Sequence, residues 1–210
     1  MTVPEALIAF SFAAFLLTIT PGLDTALVLR TAAAEGPTPA WLAALGVCLG
    51  TLAWGAAVGL GLGALLAAST LAYEILKWAG AAYLVWLGLN LILRPRQQFD
   101  LQPAEALGAP AHGSAWLWRG ALNNLLNPKA GVFYVSFLPQ FTPQGVPVAP
   151  WMVFLAFLHC LMGLIWFAGI IAATRPAAAA LRRATVVRWL DRLTGGAFLA
   201  FGLRLALERR

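Results

Sequence analysis

Between residues 120 and 174 the sequence carries one charged side chain, Lys129. A soluble domain has roughly a quarter of its residues charged, and a stretch this long with a single ion has almost nothing to offer water. The whole chain follows suit, with 10% charged residues, 61% apolar ones and a mean hydropathy of +0.80 over 210 residues. A soluble globular fold is excluded, and an all-α integral membrane protein is expected. The 14 Lys+Arg against 8 Asp+Glu give a net charge of +6. These cations sit mostly between apolar runs, where membrane loops collect positive charge, and form no basic stripe with interleaved aromatics. No nucleic-acid partner is expected.

A membrane crossing takes about 20 mostly apolar residues to span roughly 30 Å of hydrocarbon. Six segments have that character: 5–30, 40–67, 71–93, 116–138, 149–174 and 187–207. The first is interrupted at Pro21-Gly22-Leu23-Asp24 and the fourth at Asn127-Pro128-Lys129. The first 20 residues hold one charge, Glu5, and no positive leader, so they are expected to stay in the mature chain. Connections 1–2, 3–4 and 5–6 would gather Arg30, Arg94, Arg96, Arg175, Arg182, Arg183 and Arg188 on one side, against Lys77, Arg209 and Arg210 on the other. The positive-inside rule then places both termini in the periplasm. Residues 94–115, with Pro95, Pro103 and Pro110, read as a cytoplasmic linker between two three-helix repeats, 1–93 and 116–210.

The two halves echo one another. Lys77, Gly80, Ala82, Tyr83, Leu84 and Trp86 in the third span recur in register as Arg192, Gly195, Ala197, Phe198, Leu199 and Phe201 in the sixth. Cys48 and Trp54 in the second span face Cys160 and Trp166 in the fifth, and Pro21 faces Pro128. Three spans per copy is an odd number, so the second copy enters from the opposite side. A 3+3 inverted repeat with a broken helix in each half is an architecture of secondary transporters, which bind substrate where the breaks meet.

Each proline frees the carbonyl four residues earlier, Leu17 for Pro21 and Asn124 for Pro128. In hydrocarbon those oxygens need partners, so such a break persists only where protein or a wet cavity surrounds it. The half-helices that start after the prolines point positive ends inward, suited to a carboxylate. Asp24 and Lys129 lie within a turn of the breaks, and an ion at mid-membrane costs at least about 2.5–3.5 kcal/mol on insertion scales, which marks both as site candidates. Asp24 would take a substrate ammonium or a coupling proton, while Lys129 and the free N–H groups would hold a carboxylate. Alternatively Asp24 and Lys129 simply pair and lock the halves together. Asn123, Asn124 and Asn127 would line a polar path or satisfy the broken backbone, with Pro21, Gly22 and Pro128 completing the candidate set.

Other polar residues carry blander readings. His159, between Leu158 and Cys160, reads as a buried neutral imidazole, with a proton relay as its functional alternative. Gly46, Gly50, Gly55, Gly59 and Gly63 give a small-residue stripe for helix packing. Cys48 and Cys160 lie in apolar runs without a Cys-x-x-Cys motif, so neither a disulfide framework nor a metal site is expected. No Ser–His–Asp set, metal cluster or phosphate-cradling loop appears, so neither an enzyme nor a cofactor is expected. Two competing readings remain: a membrane thiol–disulfide relay through Cys48 and Cys160, and a non-transporting scaffold.

Pro21-Gly22-Leu23-Asp24, Gly80-Ala-Ala-Tyr83-Leu84 with Gly88, Asn127-Pro128-Lys129-Ala130 and Leu138-Pro139-Gln140-Phe141, in that order over nearly the whole chain, resemble the LysE/RhtB family of amino-acid exporters. Where that family usually reads Pro-Gly-Pro-Asp, this chain has Leu23 in place of the second proline. The resemblance implies a six-span protein of the bacterial inner membrane that exports amino acids or their derivatives in exchange for protons. It also admits a homodimer.

Overall fold

The computed structural model describes residues 1–68, 70–95, 113–181 and 183–207, and these form helices and connecting turns with no strand among them. The helices are α1 (Val3–Ile19), α2 (Leu23–Ala34), α3 (Pro37–Ala68), α4 (Thr70–Leu93), α5 (Gly113–Leu125), α6 (Pro128–Val132), α7 (Val148–Ala172), α8 (Thr174–Leu181) and α9 (Ala184–Leu207). Between α6 and α7 the chain runs through a π turn, Phe133–Phe137, and a 3-10 turn, Leu138–Phe141. Most of the 94–115 linker, together with Arg182, Arg209 and Arg210, lies outside the described residues.

Pro37–Gly61 within α3 and the whole of α7, 25 residues each, are long and apolar enough to cross a membrane. The pair α1 and α2 passes the same test together, bent by 50° at its junction. Large apolar side chains point outward along the bundle, among them Ile8, Phe12, Leu60, Leu71 and Ile165. The outside of the chain is thus built for lipid tails, and its polar groups have to be sought within.

Small residues set the helix packing. A Cβ at Gly46 would run into the backbone of Leu117, and one at Gly50 would come to 2.8 Å from Asn124 Oδ1, so the first half of the α3 stripe seats α5. Farther along, a Cβ at Gly55 would run into the Ala156 side chain, and one at Gly59 would come within 3.0 Å of Ala149, so the second half seats α7. Rising numbers on α3 meet falling numbers on α7, which makes that pair antiparallel. The α4–α9 pair is antiparallel too: Gly88 meets Gly195 and Leu199, while Gly202 meets Ala81 and Leu84. Close backbone approach of this kind is how helices associate where lipid removes the hydrophobic drive.

An aromatic column fills the space between α1, α7 and α9. Phe133, Phe137 and Phe141, spaced four apart through the π and 3-10 turns, stack with centroids 5.1 and 4.9 Å apart, and Phe10 and Phe201 close on them from α1 and α9. The fourth segment therefore starts earlier and ends later than the sequence suggests, at Gly113 and Phe141. Helix α8, between α7 and α9, has no counterpart among the expected segments. Trp116, near the start of the fourth segment, is buried, with the Arg119 guanidinium 5.0 Å from its ring centroid.

Candidate functional site

Two interruptions with one local cause create the site. The residue before a proline is pushed out of the helical region. Thr20 accordingly sits at ψ 117° and Asn127 at ψ 109°, both extended. Helix α1 stops at Ile19 and α5 at Leu125, and α2 and α6 start afresh at Leu23 and Pro128. Gly22 caps α2 without a side chain to offer, whereas the Asn127 Oδ1 accepts the Lys129 N–H at 3.0 Å.

The carbonyls stripped by the prolines both have partners. Leu17 O accepts a hydrogen bond from Lys129 Nζ at 2.8 Å, and the same ammonium donates to Thr20 O at 2.7 Å. Asn124 O accepts from Trp54 Nε1 at 3.4 Å and from the Asn127 backbone N–H at 3.1 Å. Each break is thus repaired partly from another span. The ammonium lies against Gly22, where a Cβ would stand 3.6 Å from Nζ.

Asp24, in the first turn of α2, is ringed by amides from the other half. Asn123 donates to Oδ1 at 2.7 Å, while Asn124 and Asn127 donate to Oδ2 at 3.0 and 3.1 Å. A carboxylate offers about four lone-pair positions, so one direction is left for a further donor. Asn124 also accepts from the Thr51 hydroxyl at 3.5 Å, and Asn127 joins both breaks, capping α6 with its oxygen and reaching Asp24 with its nitrogen.

These groups border a cavity of about 60 Å³. Gly22, Asp24, Asn124, Asn127 and Lys129 line it; Pro21, Asn123 and Pro128 do not, and Pro128 faces outward. The remaining wall comes from side chains that sequence reasoning did not place at the site: Thr18, Thr20, Thr51 and Tyr134, together with Cys48, Cys160 and His159. Thr20 and Thr194 join hydroxyl to hydroxyl, tying the first break to α9. Threonines are common in apolar helices and carry no positional signal of their own. Trp54, assigned only as a repeat marker, lies over Gly131 and so spans the second break.

Cys48 and Cys160 are free and buried, each thiol directed at the other's backbone carbonyl, at 3.8 and 3.4 Å. Nothing at these thiols supports a redox relay. Among the described residues no three His, Cys, Asp or Glu side chains converge on a metal position.

An apolar helical bundle that keeps an acid, a base and two amides around a cavity, where two helices are interrupted, has the construction of a membrane transporter. The family model for the LysE type translocator matches residues 15–209, and the chain belongs to that family. It is 31% identical over 202 residues to the homoserine/homoserine lactone efflux protein of Salmonella typhimurium, covering 96% of each chain. The leucine efflux protein of Klebsiella pneumoniae is 36% identical over 123 residues, 59% of this chain and 57% of that protein. An uncharacterized membrane protein of Bacillus subtilis, YrhP, is 26% identical over 210 residues, 97% of this chain and all of the relative. No solved structure matches the chain.

Proposed function

We propose that this chain exports amino acids or close derivatives across the bacterial inner membrane by exchange with protons. The observation that carries the reading is the meeting of Asp24 and Lys129 at two helix interruptions, on one cavity, in a family whose relatives include proteins named for leucine and for homoserine efflux. The open lone-pair direction on Asp24 takes the substrate ammonium. Its carboxylate lies against Lys129 and the N–H groups at the uncapped start of α2, behind Gly22. Asn123, Asn124 and Asn127 hold Asp24 in place, and Pro21 and Pro128 keep the two helices interrupted. The cavity of about 60 Å³ has room for water between these groups, and loading of an amino acid widens it.

The antiparallel pairs α3 with α7 and α4 with α9 support a six-span 3+3 inverted repeat. In that arrangement α1 with α2 is the first span, α5 through Phe141 the fourth and α9 the sixth, with repeats over 1–93 and 116–210 and a cytoplasmic linker over 94–115. Both termini then lie in the periplasm, and a homodimer is part of the same proposal. The cargo is a small molecule, no bond in it is made or broken, and the gradient supplies the energy.

Proteoliposome transport of radiolabelled amino acids under an imposed pH gradient tests the reading, comparing wild type with Asp24→Asn. Flux that follows the gradient and falls by about tenfold or more in the variant is the expected result. Folded wild-type protein that moves no amino acid of a full panel overturns it.

A further inference from the structure

If the chain exchanges amino acids for protons, as proposed above, some group in the cavity must carry the proton. The two ions there are poorly placed to do so. Asp24 faces three amide N–H donors, and its one open lone-pair direction is the one proposed for the substrate ammonium, so a proton there would sit in the substrate's place. Lys129 directs its ammonium at two carbonyl oxygens, which can only accept. Each ion is surrounded by partners that suit a single charge state.

His159 is surrounded differently. Its Nδ1 lies 2.9 Å from the Tyr134 hydroxyl and its Nε2 3.2 Å from the Thr18 hydroxyl, and a hydroxyl donates or accepts as required. Thr18 spends its one hydrogen on Ala14 O at 2.7 Å, so its oxygen accepts from Nε2–H. That leaves Nδ1 to accept from the Tyr134 hydroxyl. Protonation at Nδ1 reverses this one bond: the Tyr134 O–H turns away and its oxygen accepts from the new N–H. Tyr134 is wholly buried and stacks on the imidazole with centroids 5.9 Å apart, and the Phe133 ring lies 5.7 Å away, so the imidazole is held while the hydroxyl turns.

We propose that His159 is the coupling-proton site. It takes one proton at Nδ1 when the cavity opens to the periplasm and returns it to water on the cytoplasmic side, so that one N–H bond forms and breaks per cycle. The titratable groups that share its cavity are Asp24 from α2, Cys48 from α3, Lys129 from α6, Tyr134 from the π turn and Cys160 from its own helix; α1 contributes the hydroxyl of Thr18. An imidazolium here and an ammonium on Asp24 would be two like charges in one small cavity. Each therefore expels the other, which is the condition for exchange rather than symport.

Two assays in proteoliposomes separate this role from a structural one, with L-leucine and L-homoserine as probes. His159→Gln should lose gradient-driven accumulation by a far larger factor than it loses exchange of labelled against unlabelled amino acid at zero pH gradient. Tyr134→Phe should displace the pH profile of driven accumulation. Gradient-driven accumulation by His159→Gln at the wild-type level overturns the proposal. So does an unchanged pH profile in Tyr134→Phe, including the case where His159→Gln fails to fold. If wild type exchanges neither probe and moves no other amino acid, the exporter reading fails and this one goes with it.

Discussion

Lys129 Nζ donates to the carbonyl of Leu17 at 2.8 Å, the oxygen that Pro21 leaves without its helical partner. A cation on the fourth segment thereby stands in for a backbone N–H that the first segment cannot supply, and the same ammonium also serves Thr20 O. The two interruptions depend on each other, since each exposes groups that the other half satisfies. Replacing Lys129 by Met should cost about 3–5 kcal/mol, the usual loss when one member of a buried charged cluster is removed. A double-mutant cycle with Pro21→Ala checks the cause by thermal unfolding in detergent. Restoring the N–H at position 21 should recover part of the loss. If the two changes simply add, the lysine does not answer the proline.

Asp24→Asn should reduce transport by about ten- to a hundredfold, the equivalent of a charged hydrogen bond at roughly 1.5–3 kcal/mol. The new amide nitrogen would face at least one of the donors on Asn123, Asn124 and Asn127. The loss should appear in exchange as well as in gradient-driven flux, because substrate binding itself is impaired. His159→Gln should cost gradient-driven flux far more than exchange, so the two variants are told apart by the ratio of the two assays.

The breaks were legible because proline acts on its own neighbours: Thr20 and Asn127 are extended for a reason written in residues 21 and 128. The need of Leu17 and Asn124 for new partners could be stated from the sequence for the same reason. The partners themselves could not, because Lys129 reaching Leu17 and Trp54 reaching Asn124 depend on which helix faces span that face. The partners of His159 were hidden on similar grounds. A histidine among Leu158, Cys160 and Leu161 looks like packing until Thr18 and Tyr134, 141 and 25 residues away, appear on its two nitrogens. The π turn that carries Tyr134 had no sequence signal at all.

Asn127 performs two tasks with one amide, accepting from the Lys129 N–H and donating to Asp24. Asn127→Asp keeps the helix cap yet sets a second carboxylate beside Asp24, whereas Asn127→Ala loses the cap at a cost of about 0.5–2 kcal/mol. An added ion at mid-membrane costs at least about 2.5–3.5 kcal/mol before its repulsion from Asp24, so both transport and stability should suffer more in the aspartate variant. Measured side by side, flux and unfolding temperature should rank the two variants in the same order.

Cys48 and Cys160 occupy corresponding places on α3 and α7, and each thiol contacts the other's backbone. The double substitution to Ser preserves size closely and should leave exchange and gradient-driven flux intact, since no step of the proposed cycle uses sulfur. Loss of all transport from a folded double-Ser protein would restore the redox reading.

Glycine substitutions separate packing from chemistry. A Cβ at Gly50 would stand 2.8 Å from Asn124 Oδ1 and 2.9 Å from Ala121 O, so Gly50→Ala must push α5 away from α3 and carry Asn124 off Asp24. At Gly169, in the last turn of α7, nothing lies within 4 Å of an added Cβ, and Gly169→Ala should gain up to about 1 kcal/mol from helix propensity alone. Gly50→Ala is expected to lower both unfolding temperature and transport, and Gly169→Ala to raise the first without lowering the second. Equal behaviour of the two would mean that the close approach of α3 and α5 does not position the amides.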